Sequence, residues 1–130
     1  MTLLEELNSK NLSKRAGEAL RSLEYEIDKL KNGDKRNPPT IEGNKKLKAL
    51  VEDYQEFVQK IRDYLKTNSL EPATMASANK AIDDWKYIHS RLKEYNSLVL
   101  NYNENNNPKL ETIEERTGLE IKESVKYFDY

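Results

Sequence analysis

The chain contains no cysteine, which excludes a disulfide framework, a thiolate nucleophile and a Cys-ligated zinc or iron–sulfur site. Histidine and tryptophan occur once each, and glycine and proline four times each, half of them between Gly33 and Gly43. There is no Gly-x-Gly-x-x-Gly, no Walker loop and no Gly-x-Ser-x-Gly, so nucleotide cradling and a serine nucleophile elbow have no local support. Neither sign of charge dominates: 22 Lys and Arg stand against 23 Asp and Glu. Dedicated nucleic-acid binders carry a basic excess that displaces counterions from phosphates, which this chain lacks overall. No stretch approaches the roughly 18 apolar residues of a membrane span. The opening Met1-Thr2-Leu3-Leu4-Glu5-Glu6-Leu7 has acids where a secretory signal needs a basic start. These absences lead to the expectation of a cytoplasmic protein.

What is present is charge on an amphipathic frame. In 130 residues, 35% are charged and 36% hydrophobic, against roughly 25% and 45–50% in an average globular domain. That balance suits long helices with much solvated surface, and the length suits one domain spanning 1–130. Ala16, Leu20, Leu23, Ile27 and Leu30 recur at steps of three and four, drawing one apolar stripe that Asn32-Gly33 closes as a C-cap. Upstream, Thr2 and Glu5 have capping-box spacing, which predicts a short helical turn ending near Asn8-Ser9 or Asn11. A second stripe runs from about Asn44 through Leu47, Val51, Tyr54, Phe57, Val58 and Ile61 to Thr67-Asn68. Residues 32–44, with Asn-Gly, Asn-Pro-Pro and Gly-Asn, read as a surface connection.

The third helix is predicted from Pro72, whose missing N–H costs nothing in a first turn, to about Asn103. Ala78, Trp85, Leu92 and Val99 lie seven apart, and Ala81, Ile88, Tyr95 and Tyr102 form a second set at the same spacing. Interleaved, they make a coiled-coil-like seam. A helix that long needs partners along its length, and an up-down-up antiparallel bundle supplies them. The seam is satisfied equally by packing within one chain or in a homodimer. Asn107-Pro108 predicts a short helix to about Arg116, ended by Thr117-Gly118. Beyond it the pattern suits either a final helix or an extended tail, with Tyr127 and Phe128 docked on the bundle. The expected fold is therefore all-α: three long antiparallel helices, a short fourth helix and a docked C-terminal tail.

Candidate chemistry is sparse. His89 adjoins the Ile88 seam, but Lys86 stands where a Glu-x-x-His metal motif needs Glu. A boundary histidine is the simpler reading. Asp83-Asp84 and Glu114-Glu115 are sequence neighbours, which diverge by about 100° on a helix and do not face one another. Trp85 lies on the seam and is expected in the core. No catalytic set, metal site or cofactor motif is assembled from these residues.

Two surface features stand out. Lys35, Arg36, Lys45, Lys46 and Lys48 form a locally basic segment, able to meet an acidic protein surface or, as a weaker alternative, nucleic acid. Eight tyrosines and thirteen asparagines are the composition's oddity, and many cluster in the third helix, among them Tyr87, Asn101 and Asn103. Tyrosine covers apolar area while keeping a hydroxyl, which suits a contact surface or the wet edge of a seam.

The order Tyr95-Asn96, Val99, Tyr102-Asn103, then Pro108, Gly118-Leu119 and Tyr127-Phe128-Asp129 resembles the C-terminal part of the LemA family of bacterial helical bundles. The likeness covers about the last 45 residues of the chain. LemA proteins usually begin with a membrane-anchoring helix, for which this sequence has no counterpart. The resemblance implies a helical bundle with a non-enzymatic role and adds no catalytic residues. Together these readings predict a non-catalytic protein that binds a protein partner, as inhibitor, immunity or adaptor proteins do. The alternatives are a LemA-like scaffold near a membrane, or nucleic-acid binding through the Lys35–Lys48 segment. The expected contact residues are Lys35, Arg36, Lys45, Lys46, Lys48, Tyr87, Asn101 and Asn103.

Overall fold

The computed structural model describes residues 2–33 and 36–119. Among these residues there are four helices and no strand: α1 (Leu3–Leu7), α2 (Leu12–Asn32), α3 (Ile41–Thr67) and α4 (Pro72–Asn105). Local chemistry sets their ends. Thr2 and Glu5 form the reciprocal capping box at the start of α1. Gly33, at φ +55°, closes α2 in the left-handed conformation a side chain resists. α3 begins at Ile41, three residues before its periodic stripe, because the Thr40 hydroxyl accepts from the Gly43 N–H and starts the first turn early. Pro72 opens α4, which at 34 residues extends about 50 Å at 1.5 Å per residue.

The three long helices pack up-down-up. Arg15 meets Asp53 at 2.8 Å and its guanidinium lies 4.5 Å from the Phe57 ring centre, so the start of α2 faces the middle of α3. Tyr54 donates to the Ala81 carbonyl and Asn44 to the Tyr95 hydroxyl, which sets α4 antiparallel to α3. Parallel to α2, α4 meets it through Arg91, which grips the Glu24 carboxylate at 2.5 and 3.1 Å, and through Glu94, which Lys31 approaches at 2.6 Å. Those cations, Lys31 first and then Arg91, hold the Glu94 carboxyl below its usual range.

The seam behaves as its spacing requires. Leu23, Ile27, Leu47, Val51, Phe57, Val58 and Ile61 are buried against Ala78, Ala81, Ile88, Leu92, Tyr95 and Val99, and Trp85 is buried with them. α1 delivers Leu7 to this core, while Thr74 on α4 donates to the Asn8 side chain just beyond α1. Among the described residues no helix is long and apolar enough to cross a membrane.

Residues 108–119 differ from expectation. In place of a short helix they form an extended strap that enters through a cis Asn107–Pro108 bond and runs back along the bundle. The reason is competition for the main chain. Side-chain amides of α3 and α4 occupy the donors and acceptors that a helix would have paired internally. The one short helix is α1 instead. Tyr127, Phe128 and the question of helix or tail beyond residue 119 lie outside the described residues, as does Lys35.

Candidate functional site

Three helices packed pairwise leave three outer grooves, and each has a different lining. Between α2 and α3 lies an open cleft of about 520 Å³ with Glu18, Arg21, Lys29 and Lys46 around it. At its floor Glu26 and Lys29 form a buried ion pair at 3.3 Å, and Lys29 also lies over the Tyr25 ring. The Glu26 carboxylate rests against Gly43, where an added Cβ would sit 3.0 Å from its nearer oxygen. Between α2 and α4 lies a smaller cleft of about 200 Å³, lined by Ala16, Gly17, Leu20, Tyr87 and Ile88. The groove between α3 and α4 holds the strap.

The strap is held by a ladder of side-chain amides. Asn103 donates from Nδ2 to the Leu110 carbonyl and accepts from the Leu110 N–H on Oδ1, both at 2.8 Å. Asn44 pairs in the same way with the carbonyl and N–H of Glu111, both at 2.9 Å. Asn96 does so with Ile113, at 2.7 and 2.8 Å. Gln55 spans a wider step, donating to the Glu114 carbonyl at 2.9 Å and accepting from the Arg116 N–H at 3.0 Å. A carboxamide carries a donor and an acceptor side by side, as a peptide group does, so each mimics a neighbouring strand without needing one.

The rungs alternate between helices because the strap lies between them. Asn103 and Asn96 are one heptad apart on α4, while Asn44 and Gln55 are three turns apart on α3. Three apolar side chains of the strap turn inward: Leu110, Ile113 and Leu119 are all buried in the common core. Charged contacts flank them. Lys48 reaches Glu111 at 3.5 Å, and Arg116 reaches Glu56 at 3.9 Å. His89, one heptad before Asn96, faces Glu115 at 3.5 Å and stands edge-on to Trp85 with ring centres 4.4 Å apart. The facing atoms, His89 Nε2 and Glu115 Oε1, have no hydrogen-bond partner.

Asn44 and Gln55 are each only 1% exposed, so the ladder's α3 side is interior structure. Asn44 spends its second Nδ2 hydrogen on the Tyr95 hydroxyl at 2.7 Å. Burial pushes the Tyr95 phenol up from its ordinary value, and the bond from Asn44 partly offsets this. The phenol of Tyr54, also buried in the seam, is likewise pushed up, first by burial and then by Asp84.

Of the residues singled out in the sequence, Asn103 is in the ladder and Lys48 beside it. The others are dispersed. Lys46 borders the α2–α3 cleft, Lys45 is exposed on α3, and Arg36 lies in the turn before it. Tyr87, 55% exposed, borders the α2–α4 cleft, and Asn101 is exposed on α4. Lys46, at the α2–α3 cleft, and Lys48, against Glu111 of the strap, therefore lie on different sides of α3. Asn44 and Gln55 are the ladder residues the sequence did not mark, and Asn96 stood only within the Tyr- and Asn-rich stretch of the third helix. Their signal is a polar amide inside an apolar stripe: Gln55 sits beside Tyr54 and one turn from Val51 and Val58. Asp84 pairs with Lys80 at 3.4 Å, and among the described residues no group of three His, Asp or Glu is close enough to hold a metal ion.

No protein-family model matches the chain, and comparison with curated proteins and with solved structures returns no match.

Proposed function

We propose that this protein is a non-catalytic helical bundle that binds another protein and modulates it, and that the α3–α4 groove is where it holds polypeptide. The observation that carries this reading is the amide ladder. Asn44, Gln55, Asn96 and Asn103 together make eight hydrogen bonds to the main chain of an extended segment. Main-chain pairing gives affinity for extended chain, and pockets for alternate side chains add selectivity, the logic of strand addition carried out by side chains. The reading moves the emphasis from the basic segment at Lys45 and Lys46 to the groove.

Affinity capture from lysate of the source cells tests it, using wild type, Asn44→Ala/Asn96→Ala and Lys45→Glu/Lys46→Glu. A stoichiometric protein retained by the wild type and the lysine variant, and lost by the groove variant, is the expected result. A partner lost only with the lysine variant would contradict the groove assignment. Failure of all three to retain any protein above background would contradict partner binding itself.

A further inference from the structure

We infer that the α3–α4 groove is a receptor for an extended, acidic, leucine- or isoleucine-bearing segment of a partner protein, and that the strap is its built-in competitor. This rests on the partner-binding reading above and commits it to one occupant. What the groove reads differs from what it merely holds. All eight ladder bonds go to backbone atoms of residues 110–116, so any extended chain in the same register can make them. Selectivity is left to side chains. Leu110 and Ile113, three apart, fill the apolar floor. Glu111 lies against Lys48 and Glu115 against His89, each at 3.5 Å.

An occupant that reproduces these contacts carries an apolar residue, an acid directly after it, a second apolar residue three positions after the first, an acid two beyond that, and then a base, where Arg116 reaches Glu56 at 3.9 Å. The strap is one such sequence, Leu-Glu-Thr-Ile-Glu-Glu-Arg. Its connection to α4 is the polar stretch Asn106-Asn107-Pro108-Lys109. Of the contacts that align the three long helices, Arg15–Asp53, Arg91–Glu24 and Tyr54–Ala81 do not involve it, while Asn44, which holds Tyr95, also holds Glu111 of the strap. The proposed displacement leaves those three helix–helix contacts in place. A tethered competitor on a short linker acts at an effective concentration on the order of millimolar. A segment that would bind the empty groove at about 10 μM is thus weakened roughly a hundredfold while the strap is seated.

The test is fluorescence anisotropy with a labelled synthetic peptide of the sequence of residues 108–119 and the full chain. Against wild type, Ile113→Asp, which unseats the strap, is expected to bind the peptide at least tenfold more tightly. Adding Asn96→Ala to that variant should lower affinity about tenfold again, and a peptide with Asp at both apolar positions should not bind. An Ile113→Asp chain that keeps its helical circular dichroism and does not bind overturns the inference. If that variant does not fold, amide exchange in the wild type decides. Leu110, Ile113 and Arg116 amides that exchange faster when unlabelled peptide is added support displacement, and amides that open only on global unfolding overturn it. A dimer that peptide dissociates would assign the groove to a second copy, which also overturns the partner assignment. Failure of peptide binding with partner capture intact removes only this inference, because that partner then docks elsewhere.

Discussion

Asn44 shows what one side chain contributes when both its donor hydrogens and its acceptor are used. It joins α3 to the Tyr95 hydroxyl on α4 and to both backbone groups of Glu111, at 2.7 to 2.9 Å. Removing it leaves buried partners unpaired, and each such group costs about 1–3 kcal/mol. Asn44→Ala is therefore expected to destabilise the protein by about 2–4 kcal/mol in denaturant melts. Asn101→Ala, on an exposed position of the neighbouring helix, should change stability by less than about 0.5 kcal/mol. Equal losses for the two would contradict the assignment of Asn44. Asn101 and Asn103 look alike in the sequence because an amide has no intrinsic preference for a seam or for water. Two residues apart on a helix, they point about 200° apart, and only Asn103 faces the strap.

At the scale of elements, the long helices were legible because their burial is periodic. Stripes at three and four residues mark α2 and α3, and a near-heptad marks α4. Their ends were legible where a cap has its own chemistry. Gly33 is the clearest case, and Gly33→Ala, forced to φ +55°, is expected to cost about 1 kcal/mol or more, with Gly33→Asn costing less, as read from thermal unfolding. The strap was not legible. Pro108 signals a helix start as readily as a turn, and the partners of 110–116 lie on helices more than fifty residues away in the case of α3. Local pattern carries no trace of such pairing. Asn44 and Gln55, polar residues among the buried positions of α3, were the local hints that something other than a helix packs there.

The described residues form a three-helix bundle whose third groove is closed by its own chain, with two buried phenols in its core. Tyr54 and Tyr95 are held neutral in the folded state, burial being the larger cause for both. Their folded-state values lie above the ordinary 10.0, so the unfolded chain releases these protons first as pH rises. Their contribution is complete below about pH 10 and is lost above it. Denaturant midpoints should therefore fall as pH rises above about 10, and less steeply in Tyr54→Phe. An unchanged slope in that variant would show that other groups set the alkaline limit.

The central claim is that side-chain amides on α3 and α4 hold the strap as a unit distinct from the helices, and amide hydrogen exchange tests it most directly. In the wild type, the N–H groups of Leu110, Glu111, Ile113 and Arg116 should be protected, though less than Val58 in the core of α3. In Gln55→Ala/Asn96→Ala, those four should exchange at least tenfold faster while Val58 changes little. Strap amides that exchange freely in the wild type, or that track Val58 in both proteins, would contradict the account.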